Sequence, residues 1–127
     1  MRIGVAQLNS TVGDLPGNLA LGLDAYEQLV GQGSDLVVFP ELFISGYPPR
    51  DLLIKEKFLQ DSLEVLQDFA RQTGPTPALI GFPESASEHP SKIFNSAAWC
   101  EHSKIDQVFR KRLLPTYDVF DESRYFE

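Results

Sequence analysis

Short apolar runs and longer amphipathic stretches alternate along the first two thirds of the chain. Ile3 to Leu8 is an apolar run of strand length, and the turn residues from Asn9 to Pro16 predict a loop after it. From Asn18 to Gln32, Leu19, Leu23, Tyr26 and Val30 recur at helical spacing, with Gly31 and Gly33 as the stop. Leu36 to Phe39 predicts a second strand, ended by Pro40, and Glu41 to Arg50 is a loop broken by Gly46, Pro48 and Pro49. A second helix is predicted from Lys57 to Gln72, with Leu59, Leu63, Leu66 and Ala70 on one face. Pro77 to Phe82 predicts a third strand ended by Pro83, and the polar run Glu84 to Lys92 a hairpin loop. Ile93 to Cys100 and Ile105 to Phe109 form an expected antiparallel pair around a turn at Glu101 to Lys104. Beyond Lys111 the pattern is irregular.

The predicted order is therefore β-α-β-α-β-β-β, an α/β fold. Two crossover helices between short apolar strands imply a largely parallel central sheet. Such strands are normally covered on both faces, and two helices cover only one. The other face would be built from alternate residues of Ile3 to Leu8, Leu36 to Phe39 and Ala78 to Phe82. More chain or a second copy is expected to cover it, so a homo-oligomer is the expected state of this chain alone.

At 127 residues and 43% apolar, the chain is long enough for one domain with its own core. Eighteen acidic against eleven basic residues give a net charge of −7, which disfavours nucleic acid or an anionic membrane as partner. Cys100 is the lone cysteine, so an internal disulfide is excluded and a reducing compartment fits. No stretch approaches the roughly 20 apolar residues of a membrane helix. The opening Met1 to Leu8 has no signal-peptide signature. A soluble, cytoplasmic protein is expected.

Candidate chemistry begins where the second strand stops. Asp35-Leu36-Val37-Val38-Phe39-Pro40-Glu41 delivers a carboxylate beyond a strand end, where open α/β folds bind ligands. Phe109-Arg110-Lys111-Arg112-Leu113-Leu114-Pro115 places a lysine before another proline-stopped segment. A carboxylate base and a lysine are two of the three parts of a Glu-Lys-Cys amidase site. Read without further context, the commoner fate of Glu41 is a solvated strand cap, and Lys111 could be a solvated member of a basic triplet.

Four motifs in order narrow the choice: Val-Val-Phe-Pro before Glu41, Gly81-Phe82-Pro83, Asn95-Ser96-Ala97-Ala98, and Lys111 to Pro115. Together they resemble the nitrilase (carbon–nitrogen hydrolase) superfamily. Gly46-Tyr47-Pro48-Pro49-Arg50-Asp51-Leu52-Leu53 and Leu114 to Phe126 look like the amino-terminal glutaminase domain of glutamine-dependent NAD synthetases. The resemblance runs the whole chain. It implies a four-layer αββα sandwich, of which these residues are roughly the first half. It also implies hydrolysis of L-glutamine, with the ammonia passed to a separate synthetase domain. That domain would use ATP and magnesium to amidate nicotinic acid adenine dinucleotide, and the rest of the synthetase chain would be the partner. No cofactor and no metal is expected on residues 1–127 themselves.

On this resemblance Glu41 is the general base, which calls for partial burial. Lys111 holds positive charge beside the developing oxyanion. Tyr117 contributes to the glutamine pocket, and Glu122 is the second glutamate, orienting the lysine and substrate; the plainer readings are a half-buried loop aromatic and a surface acid. Glu41 and Lys111 are expected close together, at the ends of neighbouring strands. The family nucleophile is a cysteine after the lysine, and no cysteine follows Lys111 up to Glu127. Inactivity alone is the expectation. Cys100 precedes Lys111 and closes an apolar run, so it reads as a small hydrophobe. His89 and His102 have no partners at metal-ligand spacing, and Gly31-x-Gly33 follows a helix and is a helix stop. The competing functions are another nitrilase-type amidase, a self-contained hydrolase using Cys100, and a non-catalytic module that binds through the uncovered sheet face.

Overall fold

The computed structural model describes residues 1–86, 92–112 and 126. It contains five strands, β1 (Ile3–Val5), β2 (Leu36–Val38), β3 (Ala78–Ser85), β4 (Ile93–Glu101) and β5 (Lys104–Arg110), and two α-helices, α1 (Leu15–Gly31) and α2 (Glu56–Arg71). Helix α1 starts earlier than its periodicity predicts. The Asp14 carboxylate accepts from the Gly17 N–H at 3.1 Å, and Pro16 sits in the first turn, where its missing N–H costs nothing. Pro16 is thus part of the helix start and not of the loop. A short 3-10 turn at Arg50–Ile54, which the predicted loop did not include, buries Leu53 ahead of α2.

The strands form one sheet in the order β1-β2-β3-β4-β5. β1, β2 and β3 run parallel, while β3-β4 and β4-β5 are antiparallel. Both crossovers step in the same direction across the sheet, so right-handed connections place α1 and α2 on the same face, where the helices pack together. Under them lie Val37, Ile80 and Ala98, all fully buried, with Phe39, Phe43 and Phe69. Phe69 meets Phe39 edge-on at 5.4 Å and Tyr26 at 6.0 Å.

Two strand boundaries differ from expectation. β1 is shorter, because its neighbour β2 is itself three residues long and offers little further ladder. β3 runs through Pro83 to Ser85 instead of ending before it. The Gly81 carbonyl faces the β2 side and accepts from Ile44 N–H at 3.1 Å. Pro83, two residues on, points the same way, past the end of β2, where no ladder donor is required. The β4-β5 turn is a two-residue hairpin with His102 and Ser103 at φ 53° and 65°.

Among the described residues nothing covers the second face of the sheet. Gly4 and Val37 turn toward the helices, so Ile3 and Val5 point away and are 52% and 60% exposed. At the other edge Phe109 is 50% exposed. Leu36, Val38, Leu79, Ala97 and Trp99 lie between these edges and are half-buried. Among the described residues the architecture is one helical layer on one sheet, with the sheet's far side largely apolar.

Candidate functional site

The site begins with the loop that leaves β2. Phe39 still bonds the ladder, its N–H on Leu79 O at 2.9 Å, after which the chain turns across β3. Gly81 makes that path possible. A Cβ there would lie 2.3 Å from Leu42 N and 2.8 Å from Pro40 O, distances no side chain tolerates. Asn18, buried in α1, secures the loop from behind: its amide donates to Thr11 O and Ile44 O, both at 2.9 Å. Its own oxygen accepts from Thr11 N–H, also at 2.9 Å. Glu41 is therefore carried over β3 on a backbone held at both ends.

Lys111 arrives from the opposite edge. Its N–H donates to Asn95 O at 2.8 Å, one residue past the end of β5. The Lys111 ammonium meets Glu41 Oε1 at 2.7 Å, and the Asn95 side-chain amide donates to the same oxygen. Glu41 and Lys111 are thus in contact, but not from neighbouring strands as expected. β3 and β4 stand between β2 and β5, and it is the loop over Gly81 that closes the distance.

These groups line a cleft of about 310 Å³ with Phe39, Gly81 and Phe109. A wider depression of about 830 Å³ beside Phe94 and Arg112 lacks both Glu41 and Asn95, so the smaller cleft holds the chemistry. Glu41 keeps 45% of its side chain exposed and Lys111 33%. Glu41 is more open than the burial expected of a general base, because the sheet face around it is uncovered. What the arrangement can do is clear: a carboxylate, engaged through Oε1, stands beside an ammonium and an amide donor.

Tyr117 and Glu122 lie outside the described residues. Phe126 is buried against Leu42, Leu53, Leu59 and Ile93, so the chain returns beside the loop that bears Glu41. Cys100 lies on the helix-covered face, fully buried, and burial pushes its thiol up to about 12. It shares no face with Glu41. His102 is exposed in the hairpin, 3.8 Å from Glu101, and His89 lies outside the described residues. Among the described residues no group of three His, Cys, Asp or Glu could hold a metal ion. No described helix is long and apolar enough to cross a membrane.

Two contributors lie within the sequence motifs, which assign them no role. Asn95 is a buried amide in an apolar strand, and its position alternates with Ala97 and Trp99 on the open face. Gly81 is a glycine inside a strand, the usual mark of a close backbone approach. Both signals were legible locally. What they served was not, since each acts on a segment distant in sequence.

Comparison with known proteins bears on this geometry. The Carbon-nitrogen hydrolase family matches residues 2–127. The glutamine-dependent NAD(+) synthetase of Thermotoga maritima is 45% identical over 130 residues, which take in 100% of this chain and 22% of that relative. The chain thus spans about a fifth of the length of the curated relatives it matches. The crystal structure of a glutamine-dependent NAD(+) synthetase from Cytophaga hutchinsonii superposes with a TM-score of 0.92 at 25% identity, covering 100% of this chain and 21% of that one. An amidase from Nesterenkonia sp. AN1, solved with acrylamide added at its active-site cysteine, gives a TM-score of 0.81 at 25% identity, over 100% of this chain and 49% of that one. The helix-on-sheet unit seen here is therefore a nitrilase-like fold, and in the amidase it accounts for about half of the chain.

Proposed function

The chain belongs to the carbon–nitrogen hydrolase family, and from that premise we propose that it is the amino-terminal part of a glutaminase domain feeding ammonia to NAD synthesis. The observation that carries this reading is the 2.7 Å contact of Lys111 Nζ with Glu41 Oε1, two charged groups brought together across two intervening strands. A binding module has no physical need for that convergence.

In the proposed reaction a cysteine supplied by chain beyond residue 127 attacks the side-chain amide carbon of L-glutamine. Glu41 takes the thiol proton and passes it to the departing ammonia. The Lys111 ammonium and the Asn95 amide flank the carbonyl oxygen side, where negative charge develops and a preorganised cation is worth most. Water then cleaves the thioester, again with Glu41 as base, releasing glutamate. Tyr117 would line the glutamine pocket and Glu122 would orient Lys111. ATP and magnesium would serve the amidation of nicotinic acid adenine dinucleotide in a further domain, and no residue of this chain is assigned to hold them. The setting is the cytoplasm.

The 127-residue chain mixed with L-glutamine should release no ammonia above buffer. The longer protein that includes the cysteine should release it, and Glu41→Gln there should lower kcat by about 10²–10⁴-fold. Ammonia from the short chain would overturn the assignment. One alternative has a specific observation behind it: the amidase likeness at a TM-score of 0.81 favours a simple amide as substrate. Turnover of aliphatic amides in preference to glutamine would select it.

The open sheet face carries a second part of the proposal. Burying apolar surface returns roughly 25 cal/mol per Å², so in the short chain a second copy would cover Val5, Leu79 and Phe109. Sedimentation at micromolar concentration should show a dimer or larger. A clean monomer would refute this part alone.

A further inference from the structure

Arg110 and Lys111 are adjacent in sequence and serve opposite faces of the sheet, as successive residues at a strand end do. Lys111 meets Glu41 on the open face. On the helix side, Arg110 Nε donates to Glu84 Oε1 at 2.8 Å and Nη2 to Oε2 at 3.2 Å. The Arg110 guanidinium lies 3.8 Å above the centroid of the Phe94 ring, and Ser96 Oγ donates to Glu84 Oε1 at 2.8 Å. The ladder registers align these groups, with Glu84 opposite Phe94 and Ser96 opposite Arg110. Burial pushes the Glu84 carboxyl up, but the bonds from Arg110 and Ser96 outweigh it and hold the group below its ordinary value.

The geometry points to the Glu84–Arg110 pair as a positioning device for Lys111, a clamp on one face of the sheet that sets the lysine on the other. β5 is an edge strand whose last residues are exposed, and strand ends of that kind open readily. At this end the Lys111 N–H bond to Asn95 O continues the ladder. A two-point guanidinium–carboxylate fork fixes both distance and direction, which a single contact does not. The fork ties the tip of β5 to β3, two strands away, and β4 supplies the other parts of both assemblies: Phe94 and Ser96 to the clamp, Asn95 to the Glu41 contact. Loss of the fork frees the residue immediately before Lys111. The ammonium then swings relative to Glu41, although neither Glu84 nor Arg110 touches that carboxylate.

The catalytic consequence rests on the glutaminase reading, while the clamp itself is testable without it. Amide hydrogen exchange is measured on the 127-residue chain as wild type, Glu84→Gln, Arg110→Gln and Arg110→Lys. Losing this half-exposed pair should speed exchange at the Lys111 amide by about two- to fivefold. The Val37 amide, bonded to Pro77 O at 3.0 Å in the covered core, should be unchanged. Arg110→Lys, which keeps the charge and loses the fork, should fall between, and also serves if Glu84→Gln fails to fold. Equal acceleration at Lys111 and Val37, or none at Lys111, overturns the clamp. In the longer protein, Glu84→Gln should lower kcat for glutamine by about 10–100-fold with KM nearly unchanged. An unchanged kcat with a loosened Lys111 amide overturns the positioning role. A wild-type protein that leaves glutamine intact removes the glutaminase reading and leaves the exchange result standing.

Discussion

The two faces of the sheet are built from the same five strands and have opposite chemistry. The helix-covered face is closely packed at its centre: Val37, Ile80, Ala98 and Cys100 are fully buried, and aromatic rings from α2 and the β2 loop pack edge-on above them, while Val108 on β5 stays 40% exposed. The other face leaves Ile3, Val5 and Phe109 at least half exposed and holds the Glu41–Asn95–Lys111 contact. Stability is concentrated on one side and candidate chemistry on the other. A charged pair sits more cheaply where the sheet is not yet sealed, since full burial of an ion costs several kcal/mol unless it is matched. A second layer laid on this face would seal the pair and raise the strength of every interaction in it.

The sharpest way to break this comparison is to cut equally into both faces. Phe69→Ala removes a ring with no exposed surface from the covered side and should cost about 3–5 kcal/mol. Val5→Ala, on the open side, should stay within about 0.5 kcal/mol when the chain is diluted enough to be monomeric. Urea unfolding monitored at Trp99 gives both numbers, and similar losses would mean that the open face is already packed. Cys100 probes the same division chemically. A thiol pushed from 9.0 to about 12 by burial carries roughly a thousandfold less thiolate at neutral pH. Iodoacetamide should label it only as fast as the chain unfolds, and prompt labelling of folded protein would put Cys100 outside the covered core.

Gly81 lies at the seam between the two regions. A methyl at this position collides with backbone at Leu42 and Pro40, which cannot rotate away as a side chain would. Gly81→Ala should therefore cost about 1–3 kcal/mol, less than the loss of Phe69. Its signature is local: the Asn95 side-chain amide resonance should move as Glu41 is displaced, while amides in the last turn of α1, away from Asn18, keep their shifts. An undisturbed Asn95 signal would separate the base loop from β3.

Much of this was readable in the sequence. Helical spacing in α1 and α2, and apolar runs bounded by Pro and Gly, specify local structure directly, and all five strands and both helices were placed in order. The unfinished face followed from counting helices against faces. Boundaries failed where a distant segment decides them: Pro83 is tolerated because β2 ends early, and β1 is short for the same reason. Glu41 and Lys111 were each marked by a proline-stopped run. Their meeting depends on a loop crossing β3, which no local pattern encodes. The Arg110–Glu84 fork was invisible because a basic triplet and a polar hairpin look solvated until the register pairs them.

The smallest expected effect concerns acid. Glu84 is the carboxylate on the covered side whose affinity for protons is reduced in the folded chain, by Arg110 and Ser96 acting against burial. A folded value below the unfolded one means that the folded state binds this proton less readily. Stability from this group is therefore fully present above the ordinary carboxylate value and is lost as pH falls through that value toward the folded one. Arg110 stays charged throughout, since Glu84 raises its already high value. Wild type and Glu84→Gln should therefore differ in unfolding free energy at pH 7 and converge as the pH is lowered toward 3, with the gap small because Arg110 is half exposed. Measuring both proteins by urea unfolding at several pH values isolates the group, because every other carboxylate is common to the pair. A gap that stays constant with pH would show that the glutamine changes packing and not charge. A gap that widens in acid would mean that the folded chain holds the Glu84 proton more tightly than the unfolded one. Burial would then be the stronger influence on Glu84, and the covered face less tolerant of ions than the fork requires.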